Sequence, residues 1–156
     1  LVGDIHSFGP DIEATWLMDL ACDTLGDEEL KKQFAEMDLK ISHNIQNIAL
    51  DNGALNNERE NDKIDKKRVW WVEAESVVGF INAYQHSGEK KFLESARSVW
   101  EYIKAEMIDK REGSEWYAEV SYDHKPHDWK EIVGPWKCPY HNGRMCMEVI
   151  NRGVDF

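Results

Sequence analysis

Apolar residues recur at helical spacing in several segments of this chain, and that periodicity limits the folds that are open to it. In the first segment they are Ile12, Trp16, Leu17, Leu20 and Ala21. These positions lie on one face of a helix. The pattern returns from Leu30 to Ile48, again from about 70 and from about 90, and over about 142–151. The sequence therefore predicts an all-α fold built from helical hairpins.

Single residues mark where these helices begin and end. Gly26 ends the first helix, and Asp27 caps the second, which ends near Leu50. The third begins near Trp70 and ends at Gly88. Glycine suits the left-handed backbone that follows a helix, and an aspartate oxygen accepts a free N–H at a helix start. Periodicity and capping residues therefore indicate the same boundaries.

The connections between the helices differ in character. Residues 56–67 are polar and charged, and they are predicted to form a surface loop. Residues 115–122 read EWYAEVSY, an aromatic and alternating pattern that predicts a small β-hairpin. The order is then helix pair, loop, helix pair, loop, helix. Pairs open near 11, 70 and 140, which is a loose repeat of about 60–70 residues. Such hairpins stack into a solenoid or close into an α/α barrel, and we expect one domain over 1–156.

Net charge and cysteine content limit which binding partners, metal sites and disulfides this chain is expected to have. The 156 residues include 19 Lys and Arg against 30 Asp and Glu, a net charge of −11. Phosphate backbones and anionic lipids need a basic surface, so neither nucleic acid nor membrane is expected as a partner. Cys22, Cys138 and Cys146 form neither a disulfide framework nor a zinc pattern. We expect free thiols in a reducing cytoplasm and no metal ion.

Residues with catalytic chemistry gather at the start of the first helix of each pair. They are Glu13, then Trp70, Trp71 and Glu75, then Trp136 and His141. In a closed ring these helix starts could converge on one opening. An indole covers the apolar face of a sugar, and an imidazole moves a proton near neutral pH. The alternatives are a buried structural histidine at a helix entry, and acids that are merely solvated at helix starts.

Three motifs in one order give a more specific indication. They read SFGPDIEATWL at 7–17, VWWVEAE at 69–75 and GPWKCPYH at 134–141. Together they resemble the N-acylglucosamine 2-epimerase superfamily, nearest to its branch that acts on cellobiose and other β-1,4-linked disaccharides. The resemblance covers essentially the whole chain, and it implies the C-terminal portion of a six-hairpin α/α toroid barrel.

The resemblance also implies a reaction without metal or cofactor. Members open a reducing-end sugar, remove the C2 proton with one histidine, and return a proton to the other face of a planar enediol with a second histidine. By motif match, His141 is one of this catalytic pair. The substrate-binding residues implied in the same way are Trp70, Trp71, Trp136, Glu13 and Glu75.

One departure from the family pattern bears on activity. Pro10 stands where the family has a histidine, and proline has no proton to give or take. The chain is therefore expected to epimerise poorly, since general acid–base assistance contributes about 100- to 10,000-fold. Two other functions stay open: a catalytically silent oligosaccharide-binding module, and an α/α-barrel glycoside hydrolase relative that uses Glu13 with Glu75. A mono- or disaccharide is the expected ligand, and self-association or a complementary N-terminal half is the expected protein contact.

Overall fold

Five α-helices form the body of the fold in residues 4–155, the part of the chain that the computed structural model describes. They are α1 (Phe8–Leu25), α2 (Glu28–Ile48), α3 (Trp70–Ser87), α4 (Lys90–Tyr102) and α5 (Tyr140–Asn151). A π-helical turn, Ile103–Met107, continues α4. Within these residues, no helix combines the length and apolarity that a bilayer crossing requires.

The helix ends have the predicted chemistry. Gly26 and Gly88 follow α1 and α3 with φ of 68° and 71°, a left-handed conformation that glycine adopts without steric cost. Oδ1 of Asp27 accepts the backbone N–H of Leu30 at 2.9 Å, which satisfies a free donor in the first turn of α2. The predicted boundaries at these positions are confirmed.

The central helix of the fold is α3, which packs against α1, α4 and α5. Thirteen of its residues are buried, so its sequence is apolar on nearly every side. Two glycines let α1 come close to it. A Cβ on Gly9 would lie 2.5 Å from the Trp71 ring, and a Cβ on Gly79 would lie 2.6 Å from Cγ1 of Ile12. Close packing at these glycines holds the starts of α1 and α3 side by side.

Short strands form three small antiparallel sheets in the described residues. The first contains β1 (Ile5–Ser7), β4 (Glu58–Glu60) and β5 (Lys63–Asp65). The second is a hairpin of β2 (Leu50–Asp51) and β3 (Ala54–Leu55), and the third pairs β6 (Arg68–Val69) with β7 (Glu119–Val120). All three sheets lie in connections between helices, so the fold remains mostly helical.

The prediction of a loop over 56–67 is wrong, because this segment contains the β4–β5 hairpin. Asn61, with φ of 53°, lies in its two-residue turn, and asparagine tolerates that conformation better than most residues. Most side chains of the two strands are charged and at least partly exposed. With no buried face to alternate with the exposed one, the sequence lacks the pattern by which strands are recognised.

Strand structure is confirmed near 115–122, but its pairing differs from a local hairpin. Only Glu119–Val120 is a strand there, and its partner is β6 directly before α3. Trp116 adds a single bridge to Ile108. The segment has no turn residues that could reverse the chain within it, so its backbone groups pair with a distant strand instead.

Two faces of the helical body expose apolar side chains. On α5, Met147 and Ile150 are exposed beside an apolar groove of about 220 Å³ between α3, α4 and α5. The α1–α2 hairpin exposes Leu25 and Met37. Contiguous exposed apolar surface usually marks a place where another protein surface binds.

Candidate active site

The N-terminal ends of α1, α3 and α5 meet and bring three acid–base side chains together, two from second turns and one from a first turn. Glu13 lies on α1, Glu75 on α3 and His141 on α5. One nitrogen or oxygen atom from each lies within 4.8 Å of the other two. The helix starts that the sequence singled out therefore do converge.

His141 and Glu75 form the centre of this cluster. Nδ1 of His141 lies 2.6 Å from Oε1 of Glu75, and both side chains are buried, with 8% and 1% exposed. Trp16 donates its Nε1–H to Oε2 of Glu75 at 2.9 Å. Both carboxylate oxygens thus have partners, as a buried carboxylate requires. In this position Glu75 contacts the histidine and not the open cavity.

Arg144, one turn after His141 on α5, joins the two carboxylates. Its Nη2 lies 2.6 Å from Oε1 of Glu13 and 2.7 Å from Oε1 of Glu75. Its guanidinium also lies 4.8 Å from the Trp16 ring centroid. Burial opposes the charge, yet the bonds to Glu75 and Glu13 raise the pKa of Arg144 above its usual value. Arg144 is therefore a fixed positive charge at the base of the cluster.

These contacts determine which ring nitrogen of His141 holds a proton. A carboxylate bonded to a guanidinium only accepts hydrogen bonds, so Nδ1 of His141 must be the donor to Glu75. The other nitrogen, Nε2, is then free to accept a proton when the ring is neutral and to donate one when it is charged. A histidine held this way by a carboxylate is equipped for general acid–base chemistry.

Aromatic rings surround His141 and the cavity beside it. Tyr140 lies 3.8 Å and Trp71 5.5 Å from the imidazole, centroid to centroid. An open cavity of about 320 Å³ is lined by Glu13, Trp71, Trp136, Tyr140 and His141. Trp136 is 93% exposed, a large indole face with little protein packed on it. Such a surface suits the apolar C–H side of a sugar ring.

Trp70 occupies a different position from the other predicted wall residues. It is buried, with its ring 5.3 Å from that of His141 in an edge-on arrangement. Nζ of Lys137 lies 5.4 Å from the Trp70 ring centroid, and this lysine also bonds to Glu115 and to the carbonyl of Ile132. Trp70 packs behind the histidine and borders a neighbouring groove that continues to Trp136.

Sequence reasoning missed three members of the site, Trp16, Tyr140 and Arg144. The spacing from His141 to Arg144 is i to i+3, which puts both side chains on one face of α5 and could have indicated the arginine. Trp16 is likewise at i+3 from Glu13 on α1. Its bond to Glu75 spans 59 residues of sequence, however, and no local pattern indicates a contact of that range.

Two residues near the motifs, Pro10 and His6, are not members of the cluster. Pro10 is exposed at the start of α1, one turn before Glu13. His6, on β1, pairs with Asp11, and its ring contacts Phe8 edge-on. Within residues 4–155, the described cluster of Glu13, Glu75 and His141 thus contains one histidine.

Glu73, which precedes Glu75 by two residues, faces the opposite way into the core. Its Oε2 accepts the backbone N–H of Leu55 on β3 at 3.0 Å, and its Oε1 has no hydrogen-bond partner within the described residues. Burial raises its pKa to about 8. Glu73 therefore supports the packing of β3 on α3, and it does not reach the cavity.

The sequence of this chain is similar to those of known sugar epimerases. The sequence pattern of the N-acylglucosamine 2-epimerase (GlcNAc 2-epimerase) family matches residues 6–142. The cellobiose 2-epimerase of Ruminococcus albus is 81% identical over 155 residues, which are 99% of this chain and 40% of that protein. The chain thus spans about two fifths of the length of that relative.

Solved structures agree with this relationship. A sugar epimerase from a ruminal bacterium superposes with a TM-score of 0.97 at 80% identity, over 100% of this chain and 40% of that one. The cellobiose 2-epimerase of Bacillus thermoamylovorans gives a TM-score of 0.90 at 47% identity, over 97% and 38%. The predicted α/α-barrel fold is confirmed by these neighbours. This chain belongs to the N-acylglucosamine 2-epimerase family.

Proposed function

We propose that this chain contributes the C-terminal part of a sugar 2-epimerase site, in which His141 exchanges the C2 proton of a reducing-end sugar. The observation that carries the proposal is the 2.6 Å contact between His141 Nδ1 and Glu75. That contact leaves Nε2 free beside an open cavity lined by aromatic rings. An oriented base beside an indole face is what removal of a proton from a bound sugar requires.

The proposed proton transfer uses Nε2 of neutral His141. This nitrogen takes the proton from C2 of the open-chain sugar. The C–H electron pair then forms the C1–C2 double bond, and the carbonyl electrons move to O1 to give an enediolate. Return of a proton to the opposite face of C2 gives the epimer. Pro10 has no group that could deliver this proton, so His141 alone returns it to the face from which it came.

The proposed substrate is the reducing-end unit of a β-1,4-linked disaccharide. Relatives that are 81% and 47% identical to this chain are named cellobiose 2-epimerases. Trp136 and Trp71 offer indole faces at the cavity. A groove of about 400 Å³ continues from Trp136 past Trp129 and Lys130, which gives room for a second sugar unit.

A catalytically silent oligosaccharide-binding module is the second candidate. The observation that favours it is Pro10, because the aromatic surface is retained while one proton donor is absent. A glycoside hydrolase with Glu13 and Glu75 as its carboxylates is disfavoured. Nη2 of Arg144 lies within 2.7 Å of both acids, where the glycosidic oxygen would have to fit.

The exposed apolar faces support a proposal about protein contacts. We propose that the α5 face around Ile150 and the α1–α2 face around Leu25 bind a second copy of the chain or a complementary N-terminal part. Ile150 and Leu25 are 76% and 72% exposed, and each has a second exposed apolar residue on the same helix or hairpin, Met147 and Met37 respectively. A monodisperse monomer of the chain by light scattering at about 50 μM would argue against self-association.

The proposed chemistry is tested by deuterium exchange. The chain is incubated with cellobiose in heavy water, and deuterium at C2 of the reducing-end unit is measured by NMR and mass spectrometry. We expect deuterium with retained configuration, lost in His141→Gln and kept in His43→Gln, whose ring pairs with Glu89 away from the cavity. Binding of cellobiose without any exchange would support the silent module instead.

A further inference from the structure

Three side chains of the site form a set that commonly binds a divalent metal ion. Two carboxylates and one imidazole, from Glu13, Glu75 and His141, offer ligand atoms within 4.8 Å of one another. Nη2 of Arg144 lies 2.6 Å from the Glu13 oxygen, 2.7 Å from the Glu75 oxygen and 3.4 Å from Nδ1 of His141. One guanidinium nitrogen thus lies where an ion shared by the three would lie.

We propose that Arg144 takes the cation position of a latent metal site and thereby keeps the site metal-free and His141 correctly oriented. Two carboxylates this close, one of them buried, need a positive charge between them. The guanidinium supplies it while holding the oxygens at hydrogen-bonding distance, longer than the roughly 2.0–2.2 Å of metal coordination. Arg144 is therefore a positioning residue.

The surroundings of Arg144 indicate that the carboxylates determine its position. Its guanidinium carbon lies 4.8 Å and 5.7 Å from the ring centroids of Trp16 and Tyr140. Its buried Nε has no acceptor among the described residues. A guanidinium that leaves one buried donor unpaired is held there by the two anions and not by a complete set of hydrogen bonds.

The identity of the cation decides what Nδ1 of His141 can do. With arginine present, Nδ1 keeps its proton and donates to Glu75. A metal ion in the same place would bind Nδ1 as a ligand, displace its proton and pull the ring away from Glu75. The link to catalysis rests on the proposed function, but the metal-binding behaviour does not.

Titration with Co²⁺ tests the proposal on the whole chain. Arg144→Met removes the charge and keeps an unbranched side chain that can still pack on Trp16. We expect this variant to bind one Co²⁺ with about tenfold or greater gain in affinity, with the visible absorption of nitrogen and oxygen coordination. Arg144→Lys keeps a positive charge and should bind no better than the unmodified chain.

Second-site changes and a matched control locate the ion. Adding Glu13→Gln or His141→Gln to Arg144→Met should abolish the gain. Arg152→Met serves as the control, since Arg152 directly follows the C-terminal end of α5 and bonds to Glu148 and Asn82. It should leave Co²⁺ affinity unchanged.

Three results would overturn the proposal. The first is a folded Arg144→Met chain that binds Co²⁺ no more tightly than the unmodified chain. The second is Co²⁺ bound by the unmodified chain through Glu13 and His141. The third is an Arg144→Met chain that is unfolded and stays so at saturating Co²⁺, whereas recovery of its helical circular dichroism on adding Co²⁺ supports the proposal. Since no readout involves sugar turnover, a failed exchange assay leaves this inference untouched.

Discussion

The indole Nε1–H of Trp16 donates to Oε2 of Glu75 over 2.9 Å and so joins α1 to α3 next to His141. Both side chains are buried, so this bond is shielded from water. It fixes the rotation of the carboxylate, and through Oε1 it fixes the imidazole. The orientation of the histidine therefore depends on a residue from the far end of the sequence.

Trp16→Phe should lower the free energy of unfolding by about 1–3 kcal/mol, because it leaves a buried carboxylate oxygen without its donor. Urea unfolding followed by circular dichroism measures this loss. Trp129→Phe is the control, since Trp129 is largely exposed and should cost less than about 0.5 kcal/mol. If both variants lost the same free energy of unfolding, the hydrogen bond from Trp16 to Glu75 would not contribute specifically to stability.

Pro10→His should convert exchange with retention into epimerisation, if the second proton donor is what the chain lacks. The new imidazole would stand one turn before Glu13 at the start of α1. We expect mannose-type product from cellobiose to rise by about 100-fold or more over the unmodified chain. Pro10→Ala changes the same backbone position without adding a proton donor and should give no product. Product from both variants alike would count against the role of the histidine.

Trp136→Ala should weaken sugar binding without destabilising the fold. The ring is almost wholly exposed, so its removal leaves no cavity in the core. Loss of one stacking face should reduce affinity for cellobiose by about fivefold, equivalent to about 1 kcal/mol. Chemical-shift titration measures the affinity, and urea unfolding checks that stability stays within about 0.5 kcal/mol. If the affinity for cellobiose were unchanged, Trp136 would not be part of the proposed sugar-binding site.

Glu73→Gln should stabilise the fold at neutral and alkaline pH. Burial raises the pKa of Glu73 from 4.5 to about 8. A raised folded-state pKa means that stability is full below about 4.5 and falls as the pH rises toward 8. At pH 8 the glutamine variant should be more stable by on the order of 3 kcal/mol, with a flatter pH profile.

Urea unfolding at pH 5, 6, 7 and 8 checks this prediction. The control is Glu94→Gln on the exposed face of α4, which should leave the pH profile of the chain unchanged. Parallel profiles for Glu73→Gln and the unmodified chain would show that Glu73 is not protonated in the fold.

Hydrophobic periodicity and capping residues were sufficient to predict the helices, because both signals are local in sequence. Gly26, Asp27 and Gly88 act within one turn of a helix end, and each boundary follows from the residue itself. The β4–β5 hairpin had no such signal, since most of its side chains are charged and at least partly exposed, and its third strand, β1, lies about 50 residues earlier in the sequence. Strands that are far apart in sequence pair only where the packing of the helices places them side by side.

The sequence alone determined the helix starts, the aromatic residues near them and the presence of His141 and Glu75 in matching motifs. Only the tertiary structure decided their roles: Glu75 and Trp70 are buried behind the histidine, and Trp136 is exposed at the cavity. It also revealed Arg144 between the two acids. The physical reason is that burial and ion pairing arise where three helices pack, and no one helix contains that information in its own sequence.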